Sequence, residues 1–217
     1  MAEDSALNSN LKLLEYSFYF FTPDGVGRRL LNGRYSEDNY VLDNAELTLF
    51  DDKFSQVVLN RQSLAMLAVR QVNGQNVVLR YKAYRLPMPT DELRFHALAR
   101  VAFTHPIKSE TDEQIKERVK NTLYFYSLFF KAVHRNRFNR FKPAAIYLPI
   151  RYYRRGIGVT TSFDSTATWT TLYATEADAR KAQQFMRKAA MALKKYPVRE
   201  NGIQQYALVL EQMADTL

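Results

Sequence analysis

The segment LAVRQVNGQNVVLRYKAYRL, residues 67–86, gives the sharpest structural prediction in the chain, a β-hairpin with a defined register. Asn73-Gly74 is the favoured pair for a two-residue type I′ turn, since both positions adopt positive φ angles. Such a turn pairs Val72 with Gln75 and fixes every pair that follows along the two strands. We therefore expect one mainly apolar face and one face that bears positive charge.

Three cations lie on or beside the charged face of this hairpin. Arg80 and Lys82 belong to the face itself, and Arg85 follows at the end of the strand. They are candidate nucleic-acid-binding residues, because cations on an exposed strand can contact phosphates. A merely solvated surface is an equal alternative. The predicted pairs are Met66–Tyr81 and Ala68–Leu79 on the apolar face, and Ala65–Lys82 and Leu67–Arg80 on the charged face.

The segments before the hairpin predict a mixture of elements. Residues 1–10 are polar and predict a flexible leader, and the aromatic residues 11–22 predict a buried strand. Residues 25–38 follow a Pro-Asp-Gly turn and predict a short helix or loop. Alternation over residues 46–49 predicts a half-buried strand. Two aspartates open residues 51–66 and predict a helix, since carboxylates favour a helix N-terminus.

Four helices, a strand and a second hairpin are predicted after the Asn-Gly hairpin. Thr90 and Thr175 are predicted N-caps, and a long helix is predicted from Thr111. Its middle is apolar on nearly all sides, which is typical of a core helix or a dimer interface. The remaining predictions are a strand ending near 155 and broken at 156–158, a Thr-rich hairpin over 159–174, a third helix over 176–196 and a fourth over about 199–214. Together they predict a single α+β domain over residues 11–217, with antiparallel hairpins and several packed helices.

Charge is distributed very unevenly along the chain. The chain has 31 basic and 22 acidic residues, but Arg118–Phe163 has ten basic residues, eleven aromatic rings and no Asp or Glu. This stretch therefore holds the whole positive surplus, which is typical of a protein that binds a polyanion. A basic surface beside a filled core is the alternative. The candidate binding residues of this stretch are Arg135, Arg137, Arg140, Lys142, Arg151, Arg154 and Arg155.

The sequence lacks the patterns of common enzymes and metal sites. There is no cysteine, and His96, His105 and His134 have no metal-ligand spacing. We find no nucleophile elbow, phosphate-binding loop or zinc-protease motif. His134, among arginines, is the one candidate for a metal-independent ribonuclease. We expect a non-enzymatic cytoplasmic protein without metal or cofactor, and no membrane span, because the longest apolar run, 123–130, is too short.

Two segments resemble the AcaB-type transcriptional regulators of conjugative plasmids and integrative elements. They are NAELTLFDDKFSQVVLNR, residues 44–61, and LPIRYYRRGIGVTTSFD, residues 148–164, with the helix DARKAQQFMRKAAMALKKYP after it. The resemblance implies a ribbon-helix-helix homodimer that binds duplex DNA and controls transfer genes. A strand at residues 82–89 followed by two helices has the order that a ribbon-helix-helix fold requires. The strand at the beginning of residues 46–60 is a second candidate for the ribbon. Two features argue against the strand at residues 82–89 as the ribbon. It already has a partner in the predicted hairpin, and Pro87 would lie in or beside the ribbon.

Two further hypotheses remain open from the sequence. Arginines interleaved with rings also suit an RNA-binding subunit or a metal-independent ribonuclease of a ribonucleoprotein such as a CRISPR complex. A basic face could instead bind an acidic protein. The DNA-binding regulator is the function we expect, and RNA binding is the alternative.

Overall fold

The computed structural model describes residues 18–31, 34–50, 52–61, 63–85, 92–135, 150–153, 156–159, 172–193 and 202–217. Within these residues the chain forms nine β-strands and four α-helices, which confirms the α+β class. The chain divides into two compact units. The sheet unit falls within residues 18–29 and 36–87, and the helical unit within 30–35 and 88–217. The predicted leader lies outside the described residues, and the single domain stays a prediction.

The sheet unit is built on one curled antiparallel sheet of seven strands, each beside its neighbour in sequence. The strands are β1 (Phe18–Phe21), β2 (Val26–Leu31), β3 (Arg34–Asp43), β4 (Glu46–Leu49), β5 (Asp52–Leu59), β6 (Ser63–Val72) and β7 (Gln75–Tyr84). Leu47, Leu49, Phe54, Met66 and Ala68 form its buried core. This sheet makes the fold larger than a simple ribbon-helix-helix unit.

The predicted hairpin is confirmed as β6 and β7. Their ten pairs run from Val72 opposite Gln75 to Ser63 opposite Tyr84, and include every pair predicted from the turn. Asn73 and Gly74 have φ angles of 51° and 79°, as a type I′ turn requires. Local turn chemistry therefore fixed this register without help from the rest of the chain.

Two other predictions in this unit are wrong. The described residues of 51–66 lie mostly in β5 and β6 and form no helix. Those of 25–38 lie in β2 and β3, apart from Gly25, rather than in a helix or loop. Asp52, one of the two aspartates that suggested a helix start, is instead the first residue of β5, and the pairing of β5 with β6 shifts its register between Ser55 and Val58. Pairing with β4 and β6 overrides the local signal. By contrast, the half-buried strand at 46–49 is confirmed, with Leu47 and Leu49 buried.

The helical unit contains α1 (Glu92–Phe103), α2 (Asp112–Arg135), α3 (Glu176–Ala192) and α4 (Gly202–Asp215). Helix α2 packs against the other three. Phe125, Tyr126, Phe129 and Phe130 on α2 are at most 3% exposed, so the core alternative for this helix is confirmed. On α1, Phe95, Leu98 and Ala102 are buried, whereas Leu93, Ala97 and Val101 are exposed.

A short hairpin lies beside α3 in the helical unit. Its strands are β8 (Ile150–Tyr153) and β9 (Gly156–Val159), and β9 packs near α3. Gly156 and Gly158 therefore continue the sheet, and the predicted break at these positions is wrong. The predicted Thr-rich hairpin falls mostly outside the described residues.

Candidate nucleic-acid interface

The structure describes five of the ten predicted binding residues. Arg80 and Lys82 lie on β7 and Arg85 follows it, and all three are exposed. Arg135 is the last residue of α2 and Arg151 lies on β8, but their side chains are outside the described part. The other five lie outside the described residues: Arg137, Arg140, Lys142, Arg154 and Arg155.

A basic surface covers the side of β5, β6 and β7 that faces away from the core of the sheet. Leu67 pairs with both Ser55 and Arg80, and Ala65 pairs with both Val58 and Lys82. Paired residues share a face, so these side chains form two rows across three strands. We call this surface the outer face. It comprises Lys53, Ser55, Val58, Ala65, Leu67, Val69, Val78, Arg80 and Lys82.

Lys53 joins this surface although it was not predicted to bind. It precedes Ser55 by two residues and adjoins the buried Phe54, so it points to the same side as Ser55. Lys53 was not predicted as a binding residue because residues 51–66 were interpreted as a helix. The sequence did indicate a basic surface here, because residues 53–90 contain six basic residues and no Asp or Glu. The two acid-free stretches together leave 15 basic against 22 acidic residues elsewhere.

Two cations of the outer face, Lys53 and Arg80, differ from Arg70 of the same run in their ion pairing. Arg70 faces the other side, where its Nη2 lies 2.8 Å from Asp52 Oδ1. Lys53 and Arg80 take part in none of the ion pairs found among the described residues. Val69 and Val78, a cross-strand pair, are 57% and 63% exposed between the charges. The outer face thus presents exposed valines between its cations.

Acidic residues mark the limit of the outer face on the neighbouring strands. Asp43 of β3 pairs with Glu46 of β4, and both are exposed. Glu46 adjoins the buried Leu47, so it points away from the core, as the outer face does. On electrostatic grounds alone, the cations of β5–β7 would attract a polyanion, and the acids at the turn between β3 and β4 would repel it.

Two cations of the second acid-free stretch have structural partners. Arg118 is 7% exposed and forms an ion pair with Glu110 at 2.7 Å. Its Nη1 also donates to the carbonyls of Val101 at 2.8 Å and Thr104 at 2.7 Å, at the C-terminal end of α1. Lys131 Nζ donates to Glu211 Oε2 at 2.6 Å. Neither cation is available to an external polyanion without breaking these contacts.

The described residues offer no evident catalytic centre. No group of three or more His, Asp or Glu side chains in them could hold a metal ion. An open depression of about 300 Å³ is lined by Glu110, Glu113 and Glu117 beside Val101, so its charge would repel phosphate. Burial raises the pKa of the Tyr173 and Tyr206 phenols, which keeps them neutral within the core.

No described helix combines the length and the apolar character that a membrane crossing requires. No protein-family model, curated protein or solved structure matches this chain.

Proposed function

We propose that this protein is a dimeric, sequence-specific duplex-DNA-binding regulator of transcription, and that the outer face forms part of its binding surface. The observation that carries the proposal is the placement of Lys53, Arg80 and Lys82. All three are exposed on one face of the three-stranded segment β5–β6–β7, within an acid-free run. Cations arranged in this way neutralise backbone phosphates and release counterions.

The composition of the outer face favours a duplex over unpaired bases. Base stacking requires exposed rings, as on the sheets that bind single-stranded RNA. On β5–β7 the aromatic side chains that the structure describes are Phe54 and Tyr81, and both belong to the core side, where they contact each other edge to face at 5.7 Å. Tyr84 pairs with Ser63 at the end of β7, and its side chain is outside the described part. The outer face presents valines and cations instead. Phosphate contact is the binding mode that these groups supply.

The resemblance to AcaB-type regulators supplies the remaining parts of the proposal. It suggests a cytoplasmic protein that controls conjugative transfer genes as a ribbon-helix-helix dimer. The order of β7, α1 and α2 is compatible with that arrangement. β4 is a poor ribbon, because β3 and β5 already pair with both of its edges.

The test is a fluorescence-anisotropy titration with labelled duplex DNA over a salt series. Replacing Lys53, Arg80 and Lys82 together by Gln should weaken binding at least tenfold at 100 mM salt. The slope of log K against log salt should fall by about 3, because three phosphate contacts are lost. A matched control replaces three exposed cations of the helical unit, Arg100, Lys116 and Arg180, by Gln.

Unchanged duplex binding by the first triple variant would contradict a role for the outer face. Replacing Arg151, Arg154 and Arg155 by Gln would then test the second acid-free stretch. Single-stranded RNA of matched length belongs in the same titration. Tighter binding to RNA than to every duplex would replace the DNA proposal with the RNA alternative.

A further inference from the structure

Three asparagines of the chain are followed by glycine, at residues 32–33, 73–74 and 201–202. The structure describes both residues of the second pair alone, and this pair forms the turn between β6 and β7. Asparagine is a thermolabile residue, because the backbone nitrogen of the next residue can displace its side-chain amide. The geometry of the turn determines how accessible that nitrogen is.

Gly74 leaves its backbone nitrogen open to reaction. In a two-residue type I′ turn the closing hydrogen bond runs from the N–H of Gln75 to the carbonyl of Val72, so the turn does not use the N–H of Gly74. Asn73 and Gly74 are both exposed, and a Cβ built on Gly74 would meet no described atom within 4 Å. The φ angle of 79° requires glycine, and the missing side chain also removes any shield from its nitrogen.

The reaction needs water alone as a co-reactant. Rotation about the Cα–C bond of Asn73 brings the nitrogen of Gly74 to Cγ, and the exposed tip leaves room for this rotation. The nitrogen loses its proton and attacks, so that the N–Cγ bond forms, the Cγ–Nδ2 bond breaks and ammonia leaves. Water then opens the resulting succinimide ring. Attack at Cγ gives aspartate, and attack at the backbone carbonyl carbon gives isoaspartate. Each product has a carboxylate in place of the neutral amide.

The two products differ in their effect on the turn. Aspartate preserves it, because Asp-Gly suits a type I′ turn as Asn-Gly does. Isoaspartate continues the chain through its side chain and so adds one backbone atom to a two-residue loop. The loop then no longer has the length that a type I′ turn requires. The ten pairs between β6 and β7 depend on that length, since the turn sets their register.

We propose that Asn73 deamidates spontaneously in the folded protein, and that the isoaspartate it forms loosens the β6–β7 hairpin. Asn76 is not such a site. It lies in β7 opposite Gln71, and the branched side chain of Val77 hinders the nitrogen that would attack. Deamidation at Asn73 also places a carboxylate within residues 53–90, which otherwise contain no Asp or Glu. The hairpin therefore has a chemical lifetime that is set at one position.

A single tryptic peptide tests the reaction. Cleavage after Arg70 and Arg80 releases residues 71–80, QVNGQNVVLR, which contain both Asn73 and Asn76. The full chain is kept at pH 7.5 and 37 °C and digested at intervals, and an unaged sample gives the background. Mass spectrometry with fragmentation that separates aspartate from isoaspartate then measures each product.

Asn73 should deamidate at least tenfold faster than Asn76, and mainly to isoaspartate. Its rate should rise at pH 8.5, because the nitrogen of Gly74 must first lose its proton. Equal rates at the two asparagines would overturn the reaction. Aspartate without isoaspartate at residue 73 would overturn the proposed product.

Hydrogen exchange tests the effect on the hairpin. Ageing should raise the exchange of β6 and β7 amides in the wild-type chain in proportion to its isoaspartate content. Asn73→Asp is the matched control, because it has the charge of the product without the added backbone atom and still ages at Asn32 and Asn201. Its hairpin should keep its protection, and the same tryptic peptide checks that it stays free of isoaspartate. Unchanged protection in a wild-type sample rich in isoaspartate would overturn the loosening.

Neither measurement uses DNA, so the proposal is tested separately from the proposed function. One consequence does rest on that function: the aged wild-type chain should lose affinity for duplex DNA, and aged Asn73→Asp should keep it. A loosened hairpin with unchanged affinity would count against the outer face and leave the deamidation intact. Absence of isoaspartate at residue 73 would do the reverse.

Discussion

Arg118 shows how a cation in a basic stretch can serve the fold alone. Its guanidinium is buried, pairs with Glu110 and bonds to carbonyls at the end of α1. Arg118→Ala should lower the free energy of unfolding by about 3 kcal/mol, because the largely buried Glu110 side chain loses its partner and the carbonyls of Val101 and Thr104 lose their donor. Urea denaturation measures the change. The exposed Arg100→Ala is the control and should change it by less than about 0.5 kcal/mol; equal effects would contradict this role.

Gly27 lies where the side chain of Leu49 approaches the backbone closely. A Cβ at this position would overlap Leu49 Cδ1 within the curled sheet. Gly27→Ala should therefore destabilise the protein by about 1–3 kcal/mol. Adding Leu49→Val removes the obstructing atom, so the double variant should be more stable than the sum of the single changes predicts. Strict additivity in thermal or chemical unfolding would show that the two residues do not collide.

At the scale of elements, the start of α3 joins two parts of the helical unit. Thr175 caps the helix by accepting from Asp178 N–H. Asp178 accepts at 2.7 and 2.9 Å from Ser109 Oγ. Burial alone would raise the pKa of the Asp178 carboxyl, but these hydrogen bonds and Lys181 hold the pKa below its usual value.

This arrangement predicts a pH-dependent stability. Because the pKa of Asp178 is lower in the folded than in the unfolded state, its contribution is complete at pH 7. It is lost as the pH falls below about 4 through the folded pKa. Ser109→Ala should therefore cost about 1.5–3 kcal/mol at pH 7 and less near pH 3. Urea denaturation at both pH values measures the loss of unfolding free energy caused by Ser109→Ala. An equal loss at pH 7 and pH 3 would contradict the role assigned to Asp178.

The elements that the sequence predicts well are those with complete local signals. The Asn73-Gly74 turn defines the whole β6–β7 register, and Thr175 marks the start of α3. The segment 51–66 lacks such a signal. Its aspartates resemble a helix start, but Asp52 instead pairs with Arg70 across β5 and β6. That pairing depends on the sheet and cannot be read from one segment.

Contacts between distant segments also limited the prediction of the candidate site. Arg80 and Lys82 were predicted on one face because the turn fixes them, whereas Lys53 joins them only through the pairing of β5 with β6. Arg118 and Lys131 were counted with the surplus charge, and only packing shows their partners Glu110 and Glu211. The sequence thus located the charge, while the tertiary structure distinguished exposed cations from those that have structural partners.

At the scale of the whole molecule, two acid-free stretches carry the surplus charge over a chain that is otherwise acidic. If the outer face contacts DNA, binding should weaken steeply between 50 and 200 mM salt. Titrations of the wild-type chain at four salt concentrations measure this slope. A flat salt dependence would show that phosphate contacts are not the source of affinity.

The most direct test of the central claim compares duplex-DNA affinity between two triple variants of equal charge change. Lys53→Gln, Arg80→Gln and Lys82→Gln remove the cations of the outer face, and Arg100→Gln, Lys116→Gln and Arg180→Gln remove three from the helical unit. Unfolding curves first establish that both variants fold. We predict at least a tenfold loss of affinity for the first and less than a threefold loss for the second. Equal losses, or none in the first, would contradict the claim.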